Sequence, residues 1–393
     1  MSISTSGTEG HLDYYVARGI SPVHYQMHNL SEHFDRRDSL YRSLGLPPAA
    51  FRNVDVLEVA AGSGQNSLYL AAQRPASLTL VEPNPTGRRD IEAAYAALSE
   101  VPHTRPVIVP QTLQDFEPGR QYDIVICENW LGARADELEL LDKLVGLVAP
   151  GGVLVITYVP LSGFFPNVMR KLLALRIMPE TDDFERTTET MVEVFGPHLA
   201  TMPAMTRSHR DWVHDCVMNP HYLNVALPLE TVLATVGERM EALASFPRFA
   251  ADWRWFKSLV GEHRAFDAVL SEAAAANVAS FIDHRRLLPP RQDATTQALE
   301  AAFAELHRRS LAWQRAREAA STDERDALGR AIGDDLARIA ALLSEIDAAL
   351  AAAVTELEAV WRMPEPSAEA VRDMAAFGPL FGRETVYLSL TRR

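Results

Sequence analysis

At 393 residues the chain exceeds the roughly 100–200 residues of one domain, and its 47% apolar and 23% charged residues exclude a mainly disordered protein. Lys and Arg number 38 against 52 for Asp and Glu, a formal charge of −14 that argues against broad binding to a phosphate backbone. Two cysteines, Cys127 and Cys216, cannot build a disulfide framework. The start, Met1 to Gly7, lacks the basic and apolar regions of a secretory signal, and no apolar run approaches the ~18 residues that span a bilayer. The expectation is a cytoplasmic protein with neither a nucleic-acid nor a membrane partner.

In chain order, a polar segment over 1–30 precedes a predicted helix over 31–44. Strand and helix patterns then alternate from Val54 to Tyr158. Predicted strands cover 55–59, 77–81, 106–109, 122–127 and 153–157, the last launched from Pro150-Gly151-Gly152, with helices over 67–72, 87–98 and 138–148. The strands are continuous β-branched runs with little polar alternation, as expected where helices cover both faces of a parallel sheet. Residues 160–235 mix aromatics, prolines and short helical stretches. Met240–Phe246 and Glu384–Leu390 are predicted as a sixth and a seventh strand.

Between those two strands lies a helical insertion bounded by Pro289-Pro290 and by Pro364 and Pro366. Leu299, Phe303, Leu306 and Trp313 keep a helical spacing, and a second stripe runs from Leu328 through Ile332, Leu336, Ile339, Leu343, Ile346, Leu350, Val354 and Leu357 to Trp361. Ser321-Thr322-Asp323-Glu324 offers a capping box. Two amphipathic helices joined by a short turn predict an antiparallel hairpin.

The chemistry concentrates in Glu58-Val59-Ala60-Ala61-Gly62-Ser63-Gly64-Gln65-Asn66-Ser67, followed by Glu82 after the next strand. A strand, a two-glycine turn and a helix let a ligand approach the backbone at a helix N-terminus. An acid at the tip of the second strand is placed to bind ribose hydroxyls. A dinucleotide site wants a third glycine, which is missing at Ser67. Glu58, just ahead of the turn, would repel a pyrophosphate and suits the ammonium of a methionine moiety.

In these motifs the sequence resembles the class I S-adenosylmethionine-dependent methyltransferases. Their first motif reads acid-x-Gly-x-Gly-x-Gly, and here Ala60 stands in place of its first glycine. The second-motif acid corresponds to Glu82, the adenine segment to Thr112-Leu113-Gln114-Asp115, and the fourth-strand motif to Asp123 through Trp130; Pro150-Gly151-Gly152 also matches. The resemblance covers about 54–158 and the closing strand. It implies a doubly wound, mostly parallel seven-stranded α/β sheet with an added large helical region. The implied divisions are an N-terminal lid and helix over 1–50, a Rossmann-like cofactor-binding core over 51–160, and a mainly helical substrate or dimerisation region over 161–380 lending one strand near 240–246. A closing strand over 381–393 completes them.

The resemblance also implies S-adenosyl-L-methionine as cofactor. Glu58, Ala60, Gly62, Gly64 and Asn66 would line its methionine side, Glu82 its ribose, and Thr112 and Leu113 its adenine. Glu128, at the carboxyl end of the fourth strand, would stand between cofactor and acceptor, and it and His209 are the catalytic candidates. His209 belongs to the cluster Arg207 to Asp215; a second cluster, Phe246 to Lys257, again mixes charges with aromatics, as a small-molecule pocket requires, or supplies core to the added region. A small-molecule acceptor is expected because the chain is acidic and carries this aromatic-rich addition. No metal is expected: His24, His28 and His33, and His209 with Asp211, His214 and Asp215, read better as solvated or core residues. Tyr14, Tyr15 and Tyr25, with Arg36, Arg37 and Tyr41 on the following helix, fit a lid. The hairpin's apolar stripe serves its own domain or a homodimer. An NAD-type oxidoreductase and a non-catalytic binding scaffold using 294–361 are the competing readings.

Overall fold

The computed structural model describes residues 7–21, 29–96, 98, 101–179 and 181–393. The chain divides into two units. The first comprises Met1–Tyr158, Leu227–Ala273 and Val386–Arg393, and the second Val159–Ala226 and Ala274–Thr385.

The first unit holds one seven-stranded sheet. Its strands are β1 (Asp55–Val59), β2 (Ser77–Val81), β3 (Val107–Val109), β4 (Tyr122–Cys127), β5 (Val148–Tyr158), β6 (Met240–Phe246) and β7 (Val386–Arg392). The spatial order is β3-β2-β1-β4-β5-β7-β6. The first five are parallel, and β7 enters antiparallel between β5 and β6. β1 lies at the centre between β2 and β4, so the order reverses at the carboxyl ends of β1 and β4, where open α/β sheets bind ligands. Four of the five residues of β1 and of β2 are buried, which explains their unbroken apolar runs.

Helices α1 (Gly7–Arg18), α2 (Leu30–Ser43), α3 (Ser67–Ala72), α4 (Pro85–Ala96) and α5 (Ala135–Leu147) belong to this unit. Asn29 caps α2, its side-chain oxygen accepting from the backbone N–H groups of Ser31 and Glu32. The core gathers Tyr41, Leu44, Phe51, Val56, Leu70, Leu78, Leu80, Ile91 and Ile126. β5 is longer than its apolar run predicts. It begins at Val148, and Pro150-Gly151-Gly152 forms an irregularity within it: Tyr122 pairs with Val148 and Ile124 already with Val153. A Cβ on Gly152 would stand 2.7 Å from the Asp123 carbonyl oxygen, so only glycine lets the chain pass there.

The second unit is helical. It contains α6 (Leu161–Ile177), α7 (Phe184–Leu199) and α8 (His209–Trp212), a π-helical turn Val213–Met218, and the helices Ala294–Glu318, Thr322–Ser344 and Ala348–Trp361. The predicted hairpin is present across the turn Ala319-Ala320-Ser321, but its second arm is broken in two. Asp347 interrupts the stripe by accepting hydrogen bonds from Ala349 and Leu350 N–H, capping a new helix. The expected capping box does not form, because the Ser321 side chain makes no capping bond. Leu299, Phe303, Leu306, Trp313, Ile332, Leu336, Ile339, Leu343, Leu350, Val354, Leu357 and Trp361 all join this unit's core. The apolar stripe thus packs within its own unit.

Candidate active site

The turn after β1 is built from left-handed residues. Ala60, Gly62 and Gly64 have φ of 58°, 57° and 70°. Ala60 is held there by its N–H, which donates to the Val81 carbonyl at 3.0 Å. A Cβ on Gly62 would meet nothing within 4 Å, so its outer face is open. One on Gly64 would stand 2.6 Å from Ile91 Cγ1, so that glycine lets α4 pack against the turn. Ser67, where a dinucleotide site would carry glycine, donates its hydroxyl to the Gly64 carbonyl at 2.7 Å and closes the turn onto α3. Asn66 occupies the residue before α3 without a side-chain capping bond.

Two buried carboxylates flank this turn. Glu82 is 5% exposed; its Oε2 accepts from Gly62 N–H at 2.7 Å and its Oε1 from Asn84 N–H at 2.8 Å. Each oxygen keeps a second lone pair. Burial raises its carboxyl to about 7, against the pull of those two backbone bonds. Glu58 is also 5% exposed, and its Oε2 is buried without a hydrogen-bond partner. Burial, then the neighbouring Glu128 carboxylate, raises Glu58 to about 8, while Arg37 acts in the opposite direction. A buried carboxyl oxygen left unpaired is costly unless a ligand meets it.

Glu128 is already engaged. Arg37 Nη2 donates to its Oε1 at 2.5 Å and Nη1 to its Oε2 at 3.0 Å, and Tyr41 Oη donates to Oε1 at 3.2 Å. The Arg37 and Glu128 side chains are 7% and 6% exposed, so this is a buried bidentate pair. Helix α2 has further ties. His33 Nε2 donates to the Gln65 carbonyl in the glycine turn at 2.9 Å, and Tyr69 Oη donates to Asp38 at 2.9 Å. Burial, then Arg37, lowers His33 to about 4, so it is neutral at physiological pH. α2 is thus wired to both the turn and the end of β4.

The structure brings Glu58, Ala60, Gly62, Gly64, Glu82 and Glu128 to the carboxyl ends of β1, β2 and β4. Thr112 Oγ1 donates to Asp115 Oδ2 at 2.9 Å, and Leu113 is buried, in the segment after β3. His209 opens α8 in the second unit, its ring packed beside Gly196 of α7. In the same cluster His214 contacts Thr188 Oγ1 at 3.2 Å, Asp215 pairs with Arg207 at 2.8 Å, and Trp212 is core. In the second aromatic cluster Trp253, Trp255 and Phe256 face solvent and supply no core. His24, His28 and Tyr25 lie outside the described residues. Sequence reasoning placed Arg37 and Tyr41 on a lid helix but gave them no partner. The signal that could have found them is the buried stripe His33, Arg37, Leu40, Tyr41 on α2, where polar residues sit on the face expected to be apolar.

A mostly parallel sheet reversing at β1 and β4, with a glycine turn and an acid one strand further on, defines a Rossmann-like nucleotide-binding domain. Residues 57–154 match the family model described as a methyltransferase domain, about a quarter of the chain. The match is confined to this core, which is therefore similar to methyltransferase domains. No curated protein matches it significantly. Similar solved structures include the magnesium protoporphyrin IX methyltransferase of Synechocystis PCC 6803 with bound SAH (16% identity, 48% of this chain, 88% of that chain, TM-score 0.35). Others are PKMT2 of Rickettsia typhi with AdoHcy (14%, 54% and 43%, 0.38) and a putative methyltransferase of Thermoplasma acidophilum (23%, 30% and 48%, 0.23). This chain spans less than half the length of the last two.

Proposed function

We propose that the chain transfers the methyl group of S-adenosyl-L-methionine to a small-molecule acceptor. The observation that carries this reading is the unpartnered, buried Oε2 of Glu58 directly ahead of a left-handed glycine turn. A cation is the natural partner of such an oxygen and would draw it into its ionised form, which a pyrophosphate would oppose. When bound, S-adenosylmethionine supplies an electrophilic methyl group on a sulfonium centre.

The residues present fit that group. Glu58 would accept the ammonium of the methionine moiety, with Ala60, Gly62, Gly64 and Asn66 lining the same side. Glu82 would accept ribose hydroxyls on its remaining lone pairs while its backbone bonds fix the turn. Thr112 and Leu113 would border the adenine. Glu128, committed to Arg37 and Tyr41, suits the work of a positioning residue that shapes the wall beside the acceptor better than that of a free base. The acidic chain disfavours polyanionic acceptors, which supports a small molecule.

Isothermal calorimetry with S-adenosylmethionine tests the reading. Binding is expected in the micromolar range, with none for nicotinamide dinucleotides. Glu82→Ala should weaken it by ~2–3 kcal/mol through loss of charge-assisted hydrogen bonds. An unchanged affinity in that variant would remove the ribose assignment.

A further inference from the structure

The segment following β6 in the first unit has no part in the proposed chemistry, yet it is built. Arg254 holds it closed: its guanidinium donates to the carbonyls of His263 at 2.8 Å and Ala265 at 2.9 Å while pairing with Asp252 at 2.6 Å. Its root is fixed by Arg248, which donates to the carbonyls of Ser43 at 3.1 Å and Arg42 at 2.8 Å, at the end of α2. From this fixed frame project Trp253, Trp255, Phe256 and Val260, exposed by 92%, 66%, 67% and 65%. Among the described residues, the other large apolar side chains of comparable exposure, Val107 and Leu287, stand singly. Lone exposed apolar residues need no explanation; four on one ordered loop mark an interaction surface.

We propose that this loop docks the protein reversibly on an anionic lipid surface. The pattern Trp253-Arg254-Trp255-Phe256-Lys257 alternates rings with cations, and Lys257 Nζ lies 5.8 Å and 5.9 Å from the ring centres of Trp255 and Phe256. An ammonium amid the rings suits a membrane interface, where the rings sink to headgroup depth and the charge stays among the phosphates. The core of a protein interface is depleted of lysine, because burying its ammonium there is costly. Three aromatics burying ~150–250 Å² each also fall short of the ~800 Å² per side of a stable protein contact. A bilayer needs no complementary shape. Charge points the same way: residues 246–265 carry four basic side chains against two acidic ones, in a chain whose formal charge is −14. The sequence expectation of no membrane partner considered spanning segments, and no described helix is long and apolar enough to span; surface docking is a separate property.

The test floats the full-length chain with vesicles of phosphatidylcholine, alone or mixed with phosphatidylglycerol. The chain should float with the anionic vesicles, less with the neutral ones, and progressively less as salt is raised. Trp253→Ser/Trp255→Ser/Phe256→Ser should abolish flotation with an unchanged thermal midpoint, since these side chains are exposed. Lys257→Glu should weaken flotation at least about fivefold. The proposal is overturned if the wild-type chain fails to float, or if the triple variant floats as well as it does. It is equally overturned if the triple variant converts a dimer to a monomer in light scattering without any flotation by the parent, which would make the loop a protein interface.

Discussion

Ala60 sits where the family's first motif carries glycine, and its φ of 58° is a conformation that disfavours a Cβ. The turn keeps it there through the hydrogen bond to Val81. Ala60→Gly should therefore stabilise the protein by about 1 kcal/mol, the released strain exceeding the entropy that glycine adds to the unfolded chain; chemical denaturation measures it. The carboxyls give a pH dependence with a defined sign. Glu58 and Glu82 are raised to about 8 and about 7, so near neutrality Glu58 mostly holds its proton and Glu82 is about half ionised. Each adds stability that is intact below its ordinary value near 4.5. That stability is lost as pH climbs through the raised value, because the unfolded chain ionises first. Ligand binding runs the other way. A cation at Glu58 favours the ionised form, so S-adenosylmethionine affinity should rise with pH, by up to about tenfold per unit below 8, and then level off. Glu58→Gln should flatten that rise in calorimetric titrations; an equally steep profile would place the titrating group elsewhere.

Helix α2 matters through one face. Arg37 and Glu128 stand 91 residues apart in sequence and form a pair closed to solvent, which no local pattern announces. Arg37→Met leaves Glu128 buried without its cation and should cost about 3–5 kcal/mol, read as a lowered thermal midpoint. Arg37→Met/Glu128→Gln should recover part of that loss, since it removes the stranded charge; if it is no better than the single variant, the pair is not coupled. In the second unit the break at Asp347 is a capping event. Asp347→Ala should cost about 1 kcal/mol by exposing the helix start at Ala348. The 3–4 spacing runs through that break undisturbed, which is why the stripe reads as one helix: periodicity reports which face is buried, not whether the backbone turns between two buried positions.

At the scale of the molecule, the sheet of the first unit closes only with the last residues of the chain. β7 pairs with β5 on one side and β6 on the other. Removing 386–393 would leave two long edges with unpaired backbone groups, so the truncated chain should aggregate, where the parent stays in the supernatant on sedimentation. The strands and glycine turn were legible in the sequence because their causes are local. An apolar run covered on both faces and a turn needing positive φ each leave a mark within a few residues, and so do the acids Glu58 and Glu82 at strand tips. Other features have no local cause. The partnership of Arg37 with Glu128, the exposure of Trp253 and Trp255, and the irregularity inside β5 depend on what the fold brings alongside. An arginine or a tryptophan has the same local spacing whether it ends buried against a distant carboxylate or projecting into water. The sequence by itself determined the order of elements and the nucleotide-binding turn. Only the tertiary structure decided which charges are buried together, since burial and desolvation belong to neighbours far along the chain.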